Sequence, residues 1–251
     1  GVWVRDSSAG IGTLTFADTA SHPFIWLENL PTQACDVVIW TDYVPAGQTE
    51  DYHYATSDLK AVTFHPDREY VAGADSRDAY AARFSTNFSA GDTLVRTVEM
   101  KRPFAKYCIV ATDLQRYEQM RDVNDFPPLE SIEVRAAYAS YFPNSYNAHE
   151  NRPNNATLEQ TYRSALTFVT DSTVQLAADH VWVDNLDSSV RLNLDLVDMR
   201  TGDTLSTARD LDIHYRRGCL TTLSGDFLTA GKSSGSITVD ERWDGEYNIE
   251  F

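Results

Sequence analysis

The sequence predicts an all-β protein built from two β-sandwich domains in tandem. Apolar and β-branched runs of strand length recur along the chain with turn residues between them, as in "CDVVIWTDYV" and "YAARFSTNF". Aromatic residues are abundant, with 13 Tyr, 11 Phe and 5 Trp, and such residues suit half-buried strand faces. A proline-containing polar stretch, "NDFPPLES" at 124–131, interrupts the strands. We therefore predict domains at residues 1–125 and 126–251.

The first half contains five predicted strands and one predicted helix. Its strands are expected at 35–44, 59–66, 80–88, 92–100 and 104–114. Residues 113–123 form the helix, because Leu114, Tyr117 and Met120 recur at helical spacing behind Asp113, a residue suited to the N-cap.

The second half repeats the strand pattern after an expected strand at 131–142 and a long exposed loop at 143–160. The remaining strands are expected at 162–170, 174–186, 189–199, 203–215 and 219–229, followed by a terminal hairpin that turns at "DERWDG". In "VRLNLDLVD", Val190, Leu192, Leu194 and Leu196 occupy one face and the polar residues the other, which predicts a strand with one solvated face.

The stretch "SGDFLTAGKSSGS" is similar to a phosphate-binding loop but lacks its first glycine. That motif requires a glycine five residues before the Gly231-Lys232 pair, where this sequence has Asp226. Its carboxylate would repel a phosphate. We interpret this stretch as the end of a strand, with Gly225 at a bulge or a close backbone approach, followed by a hairpin connection. The net charge of −16 also argues against a nucleic-acid partner.

No pattern of residues predicts catalysis, a cofactor or a metal ion. The three cysteines, Cys35, Cys108 and Cys219, are far apart and lie in or beside apolar segments, so we expect buried thiols, and one bridge between two of them stays open. His53 and His65 have acidic neighbours in sequence but no ligand spacing with another histidine. The sequence therefore predicts a protein that is not an enzyme.

Two aromatic residues are candidates for stacking on a carbohydrate or host ligand. Tyr146 lies in "SYFPNSY" and Trp182 in "WVDNL". The alternative is that they pack across strands or in the core, which is what aromatic residues on strands commonly do.

Four segments, in order, resemble the fimbrillin-like, type V pilus-related surface lipoproteins of Bacteroides-type bacteria. These segments are "CDVVIWTDYV", "SRDAYAARF", "MKRPFAKYCIVATDL" and "YRRGCLTTLSGDFLT", and "DGEYNIEF" follows them. The fourth departs from the family pattern, because Gly218 follows Arg217 where the family commonly has Asn.

The resemblance implies two transthyretin-like, Greek-key sandwiches and a protein exported to the cell surface and outer membrane, with a lipid anchor as its only link to the membrane. It implies a fimbrial subunit or adhesin whose partners are other pilus subunits, joined by β-strand addition. A stalk, tip or anchor role stays open. The alternative function is a surface protein that binds a carbohydrate or a host ligand.

The residues 247–251 are the candidate segment for strand exchange. Tyr247, Ile249 and Phe251 alternate with Asn248 and Glu250, so one face of an extended segment would be apolar. Such a strand can close the sheet of its own chain or complete that of a neighbour. Both readings predict an extended strand here.

Overall fold

The computed structural model describes residues 14–17, 24–27, 34–45, 51–87, 89, 91, 93–184, 187–231 and 239–246. In the first half, the strands are β1 (Leu14–Ala17), β2 (Phe24–Leu27), β3 (Ala34–Asp42), β4 (Tyr54–Ala55), β5 (Val62–Phe64), β6 (Ala79–Asn87) and β7 (Phe104–Ala111), followed by the helix α1 (Leu114–Asn124). In the second half they are β8 (Ile132–Tyr138), β9 (Phe142–Asn147), β10 (Arg152–Thr157), β11 (Thr161–Ala165), β12 (Thr167–Phe168), β13 (Val174–Trp182), β14 (Ser188–Asp198), β15 (Thr204–Tyr215), β16 (Cys219–Gly225) and β17 (Val239–Glu246). The predicted all-β class is confirmed.

Two sheets enclose the main core. The large sheet has the order β12-β13-β7-β16-β17, and the second sheet has the order β11-β8-β14-β15. Buried side chains from both sheets, such as Ile109 and Leu223 from the large sheet and Val134 and Leu194 from the second, belong to one apolar cluster. Burial of this cluster removes apolar surface from water and stabilises the sandwich.

The predicted alternation of β14 is confirmed. Val190, Leu192, Leu194 and Leu196 are buried, whereas Arg191 is exposed. β13 differs, since most of its residues are buried whichever way they point. One face of β13 lies in the main core, and Trp182 at its end lies in a second cluster. A strand covered on both sides reads as a continuous apolar run rather than an alternation.

Strands from the two halves of the chain share sheets. β7 pairs antiparallel with β13 and parallel with β16, so it is an interior strand of the large sheet. A third sheet has the order β10-β9-β5-β4, and its β5–β9 pair joins Val62 to Tyr146. The division at residues 125/126 stays a prediction, but backbone hydrogen bonds cross it in two sheets.

The predicted helix is confirmed, although Asp113 does not cap it with a side-chain hydrogen bond. Its carboxylate accepts hydrogen bonds from the backbone N–H of Leu228 (3.2 Å) and from both the N–H and the hydroxyl of Thr229 (2.7 and 2.8 Å). Asp113 therefore fastens the helix start to the segment that follows β16.

The proline-containing stretch packs against the helix. The ring of Tyr117 stacks on Phe126 with centroids 5.1 Å apart, and its hydroxyl donates to the carbonyl of Pro127 at 2.6 Å. Leu129 is buried in the main core. This stretch is thus part of the folded unit around α1.

Two predictions about extended segments were wrong. Residues 93–100 are not a strand, and Leu94 and Val95 are both exposed. Leu94, Val98 and Met100 would share one face of an extended segment, but the segment forms no strand in the structure. Conversely, the predicted loop at 143–160 contains β9 and β10, which form an antiparallel pair whose Tyr146 is fully buried.

The C-terminal part also differs from the prediction. β16 ends at Gly225, which pairs with Val239, so Gly225 is not an internal bulge. β17 runs without a turn through "DERWDG". Its register with β16 shifts by one residue, because Thr221 pairs with Trp243 and Cys219 with Glu246. The Asp-Gly turn signal is accommodated as a β-bulge.

Among the helices that the structure describes, none is long and apolar enough to cross a membrane.

Candidate functional site

The two candidate ligand-stacking aromatics lie inside the protein. Tyr146 is 0% exposed and Trp182 is 1% exposed, so neither presents a ring to solvent. Trp182 is the centre of an aromatic cluster whose rings come from both halves of the chain. Its neighbours are Phe64 (5.3 Å between centroids), Phe104 (5.5 Å), Tyr146 (5.5 Å), Tyr54 (5.6 Å) and Trp40 (6.0 Å). The packing alternative is the one that the structure adopts.

The other predicted site residues are not brought together. Tyr247, Ile249 and Phe251 lie outside the described residues, directly after β17.

The described residues contain no group of three or more His, Cys, Asp or Glu that could hold a metal ion. The Nδ1 of His65 accepts a hydrogen bond from the N–H of Asp67 at 3.3 Å, and the ring of His53 packs edge-on against Tyr52. Cys108 and Cys219 are half-buried thiols.

The structure instead reveals a buried polar centre at Asp179, which sequence reasoning missed. Asp179 lies on β13 and is 0% exposed. Its Oδ2 accepts hydrogen bonds from the hydroxyls of Tyr70 (2.6 Å) and Tyr138 (2.9 Å). Its Oδ1 accepts one from the backbone N–H of His180 at 2.8 Å. Several donors on one carboxylate compensate for the loss of water.

Two further tyrosines extend this centre across the sandwich. The hydroxyl of Tyr107 lies 2.7 Å from that of Tyr138 and 2.8 Å from that of Tyr162. Because Tyr138 donates its proton to Asp179, its oxygen accepts from Tyr107, and the oxygen of Tyr107 in turn accepts from Tyr162. All the protons therefore point toward the carboxylate.

Arg77 supplies the positive charge of the centre. Its Nη1 lies 3.7 Å from Oδ1 of Asp179, and its side chain is 4% exposed. The guanidinium stacks over the rings of Phe64 (4.0 Å) and Tyr70 (4.6 Å), and Nη1 donates to the carbonyl of Val71 at 2.5 Å. Planar stacking and multiple donors suit arginine rather than lysine to such a position.

The segment 70–78 that carries Arg77 approaches β13 closely at Gly73. Gly73 has a φ of +64°, and a Cβ placed on it would lie 2.7 Å from the carbonyl oxygen of Ala178. Its N–H also lies 3.4 Å from Oδ1 of Asp179. Only glycine combines this backbone conformation with such an approach.

Burial governs the titration of the centre. It raises the pKa of Asp179, and the charge of Arg77 opposes that shift. It also raises the pKa of the tyrosines at positions 70, 107, 138 and 162 well above their usual range. Such shifts are common at active sites but also occur in structural networks. Here the hydroxyls of the four tyrosines and the carboxylate of Asp179 are hydrogen-bonded to one another, whereas Nη2 of Arg77 has no hydrogen-bond partner among the described residues. The centre joins segment 70–78 to both sheets.

A surface groove of about 700 Å³ lies elsewhere, between α1 and the β12–β13 hairpin. Leu114, Leu129, Phe168 and Val169 supply its apolar walls, and Glu118 and Asp171 supply negative charge. No residue of the polar centre lines it. The groove and the centre are separate features of the molecule.

Edge strands are the third feature with functional potential. β17 forms one edge of the large sheet, where it pairs with β16. β6 pairs with β3 along one side, and on its other side the described residues contribute one bridge, between Ala81 and Lys101. Unpaired backbone groups at such edges are templates for pairing with another strand.

A family model described as a family of unknown function (DUF6562) matches residues 15–251. Among curated proteins, no match was found.

Several solved structures match with low sequence identity. The fimbrial anchor protein Mfa2 from Porphyromonas gingivalis is 13% identical, with 91% of this chain and 82% of that chain covered and a TM-score of 0.46. A candidate cell adhesion protein from Bacteroides uniformis is 13% identical, with 97% and 90% covered and a TM-score of 0.44. A candidate adhesin from Bacteroides ovatus is 10% identical, with 90% and 79% covered and a TM-score of 0.44.

Proposed function

The chain belongs to the DUF6562 family, and we propose that it is a non-enzymatic fimbrial subunit or adhesin of the cell surface that assembles by β-strand addition. The proposal includes export, with attachment to the outer membrane through a lipid anchor, as the sequence resemblance implies. Its partners are other subunits of the same fibre.

The position of β17 is the observation that carries the proposal. This strand stands at the edge of the large sheet, and the alternating residues Tyr247, Ile249 and Phe251 follow it directly. Such a segment can add to a sheet of a neighbouring subunit, since main-chain hydrogen bonds give affinity and alternate side chains fill pockets. β17 itself keeps its own partner, β16. Donation of residues 247–251 would leave every strand pair of the described residues in place.

The enclosure of the polar centre in the core favours a structural role for it. Asp179, Arg77 and the four tyrosines are bonded to one another within the core, and the groove near α1 does not reach them. Tyr146 and Trp182, the two aromatic residues that suggested the carbohydrate alternative, stack on each other within the aromatic cluster. Strand addition is thus the function that the described surface supports best.

Deletion of residues 247–251 tests the proposal. Because β17 ends at Glu246, the shortened chain keeps every described strand pair. We expect it to remain folded by circular dichroism and to lose the oligomers that the full chain forms in sedimentation velocity. Replacing Tyr247, Ile249 and Phe251 with Ser should have the same effect, while Ser at Asn248 and Glu250 should not. Oligomers of the shortened chain equal to those of the full chain would overturn the proposal.

A further inference from the structure

The exposed lining of the groove between α1 and the β12–β13 hairpin is polar on one side and apolar on the other. On the helix side, Gln115, Glu118 and Gln119 are spaced by three and four residues and so share one face of α1. On the hairpin side, Phe168 is 65% exposed and Val169 is 56% exposed. A ligand that matches both sides has an apolar face and a hydrogen-bonding rim.

The two amide groups on the helix side are free to bind a ligand. Within the part of the chain that the structure describes, the side chains of Gln115 and Gln119 make no hydrogen bond, whereas Glu118 forms an ion pair with Arg121 at 2.9 Å. Each amide carries both donors and an acceptor. A hydroxyl group, which also donates and accepts, suits such a pair of amides.

Both walls of the groove are held in place by their own contacts. In the hairpin, the N–H groups of Val169 and Thr170 donate to the carbonyl oxygen of Thr173 at 3.1 and 3.2 Å, and the hydroxyls of Thr170 and Thr173 lie 2.6 Å apart. The start of α1 is fixed by the bond from the N–H of Thr229 to Asp113 at 2.7 Å. A ligand would therefore lose little affinity to the ordering of its site.

The size of the groove favours a small ligand over a protein partner. Its volume of about 700 Å³ falls within the range of about 300–1,000 Å³ that is typical of small-molecule sites. A stable protein interface buries roughly 800 Å² on each partner and uses about 20–30 residues a side. This groove is lined by nine residues.

Charge and polarity restrict the class of the ligand further. Asp171, at the tip of the hairpin, is exposed and has no ion pair among the described residues, and the chain carries a net charge of −16. Anionic ligands are therefore repelled. A wholly apolar ligand would remove the amides of Gln115 and Gln119 from water without replacing their hydrogen bonds, which is costly. A simple cation would leave the amide donors unused.

We propose that this groove binds a neutral oligosaccharide, with one sugar ring on the exposed face of Phe168 and its hydroxyls bonded to Gln115 and Gln119. A pyranose ring has an apolar face of C–H groups, which the negative face of an aromatic ring attracts, and a rim of hydroxyls. The site differs from the buried pair Tyr146 and Trp182. It does not depend on assembly by strand addition, because the residues used here lie in α1 and the β12–β13 hairpin.

Titration of the full chain with defined tetrasaccharides, followed by isothermal titration calorimetry, tests the ligand class. The neutral probes are chitotetraose, cellotetraose, maltotetraose and xylotetraose, and the acidic probe is the hyaluronan tetrasaccharide. We expect at least one neutral probe to bind with a Kd of about 1 mM or tighter. The hyaluronan tetrasaccharide shares N-acetylglucosamine with chitotetraose but adds carboxylates, so it should not bind.

Substitutions in the groove test its location. Phe168→Ala should weaken binding of the neutral probe by at least about tenfold, and Gln119→Ala by about threefold to tenfold. The matched control is Tyr141→Ala, which removes another ring that is 67% exposed but does not line the groove, and it should leave binding unchanged. Asp171→Lys should allow the hyaluronan tetrasaccharide to bind. Thermal unfolding of each variant verifies that it folds.

The outcomes that would overturn the proposal are distinct. Absence of binding by every neutral probe at about 10 mM contradicts it, as does binding that Phe168→Ala and Gln119→Ala leave unchanged. Hyaluronan binding as tight as that of the best neutral probe contradicts the neutral class. If only the cationic tetrapeptide Leu-Lys-Leu-Lys binds and Phe168→Ala abolishes this, the groove takes a peptide instead. Every variant keeps residues 247–251, so each of these failures leaves the proposed function standing.

Discussion

Tyr138 and Asp179 are joined by a hydrogen bond of 2.9 Å that connects the two sheets of the sandwich. Tyr138 lies on β8 of the second sheet, and Asp179 lies on β13 of the large sheet. Arg77 reaches the same carboxylate from the first half of the chain. The polar centre therefore lies where three parts of the protein meet, and its loss should affect all of them.

Asp179→Asn should destabilise the protein by about 3–5 kcal/mol, because it leaves the buried charge of Arg77 without its counter-ion. Chemical denaturation measures this change. The control is Asp187→Asn, which removes an exposed ion pair with Arg216 (2.8 Å), and we expect it to change stability by less than about 1 kcal/mol. Equal effects of the two substitutions would show that the centre does not stabilise the fold.

Gly73→Ala should be more destabilising than Gly202→Ala. Both glycines have positive φ, of +64° and +79°, so alanine strains the backbone by about 1–2 kcal/mol at either position. At Gly73 the new Cβ would also lie 2.7 Å from the carbonyl oxygen of Ala178, whereas nothing lies within 4 Å at Gly202. The difference between their unfolding free energies isolates the contact of segment 70–78 with β13. Equal losses would contradict the close approach.

Asp42 should make the protein less stable as the pH rises. Burial raises the pKa of its carboxyl group to about 6 from 3.8, although a hydrogen bond from Trp40 Nε1 opposes the shift. Because the folded state then binds this proton more tightly than the unfolded chain, the free energy of unfolding decreases between about pH 4 and pH 6 and levels off above. Asp42→Asn should raise the Tm at pH 7.5 and leave it nearly unchanged at pH 4.

Asp36 provides the opposite control. Hydrogen bonds from Ser85 and Arg83 lower the pKa of its carboxyl group, so its contribution to stability is present at neutral pH and is lost in acid. Asp36→Asn should therefore lower the Tm at pH 7.5 more than at pH 4. A Tm that responds to both substitutions in the same direction at pH 7.5 would contradict the assigned shifts.

A fragment of residues 126–251 should not unfold cooperatively. It lacks β7, which lies between β13 and β16 and contributes the fully buried Tyr107 and Ile109. We expect circular dichroism of this fragment to show no cooperative thermal transition, while a fragment of residues 100–251, which restores β7, should regain strand signal. A sharp transition for residues 126–251 alone would support a domain boundary at 125/126.

The local features of the fold could be predicted from the sequence. The alternation of Val190, Leu192 and Leu194 predicts the buried face of β14, and the helical spacing of Leu114 and Tyr117 predicts α1. These patterns arise because each element packs one face against the core, so they can be recognised from residues that are close together in the sequence. The Asn-rich stretch of β9 and β10 was predicted as a loop because pairing overrides weak strand propensity there.

The polar centre could not be predicted, because its members are far apart in sequence. Arg77 and Asp179 are separated by about a hundred residues, and no local pattern links the one to the other. The rings that enclose Trp182 also come from both halves of the chain, so its cluster could not be recognised from neighbouring residues. The one available signal was a charged residue inside an apolar run, "AADHVW", which predicts a buried polar group but not its partner.

The chain that lacks residues 247–251 provides the most direct test of assembly by strand addition. Sedimentation velocity should show monomers of this chain under conditions in which the full chain forms oligomers, with the same thermal transition for both. Oligomers of the shortened chain that match those of the full chain would contradict the account.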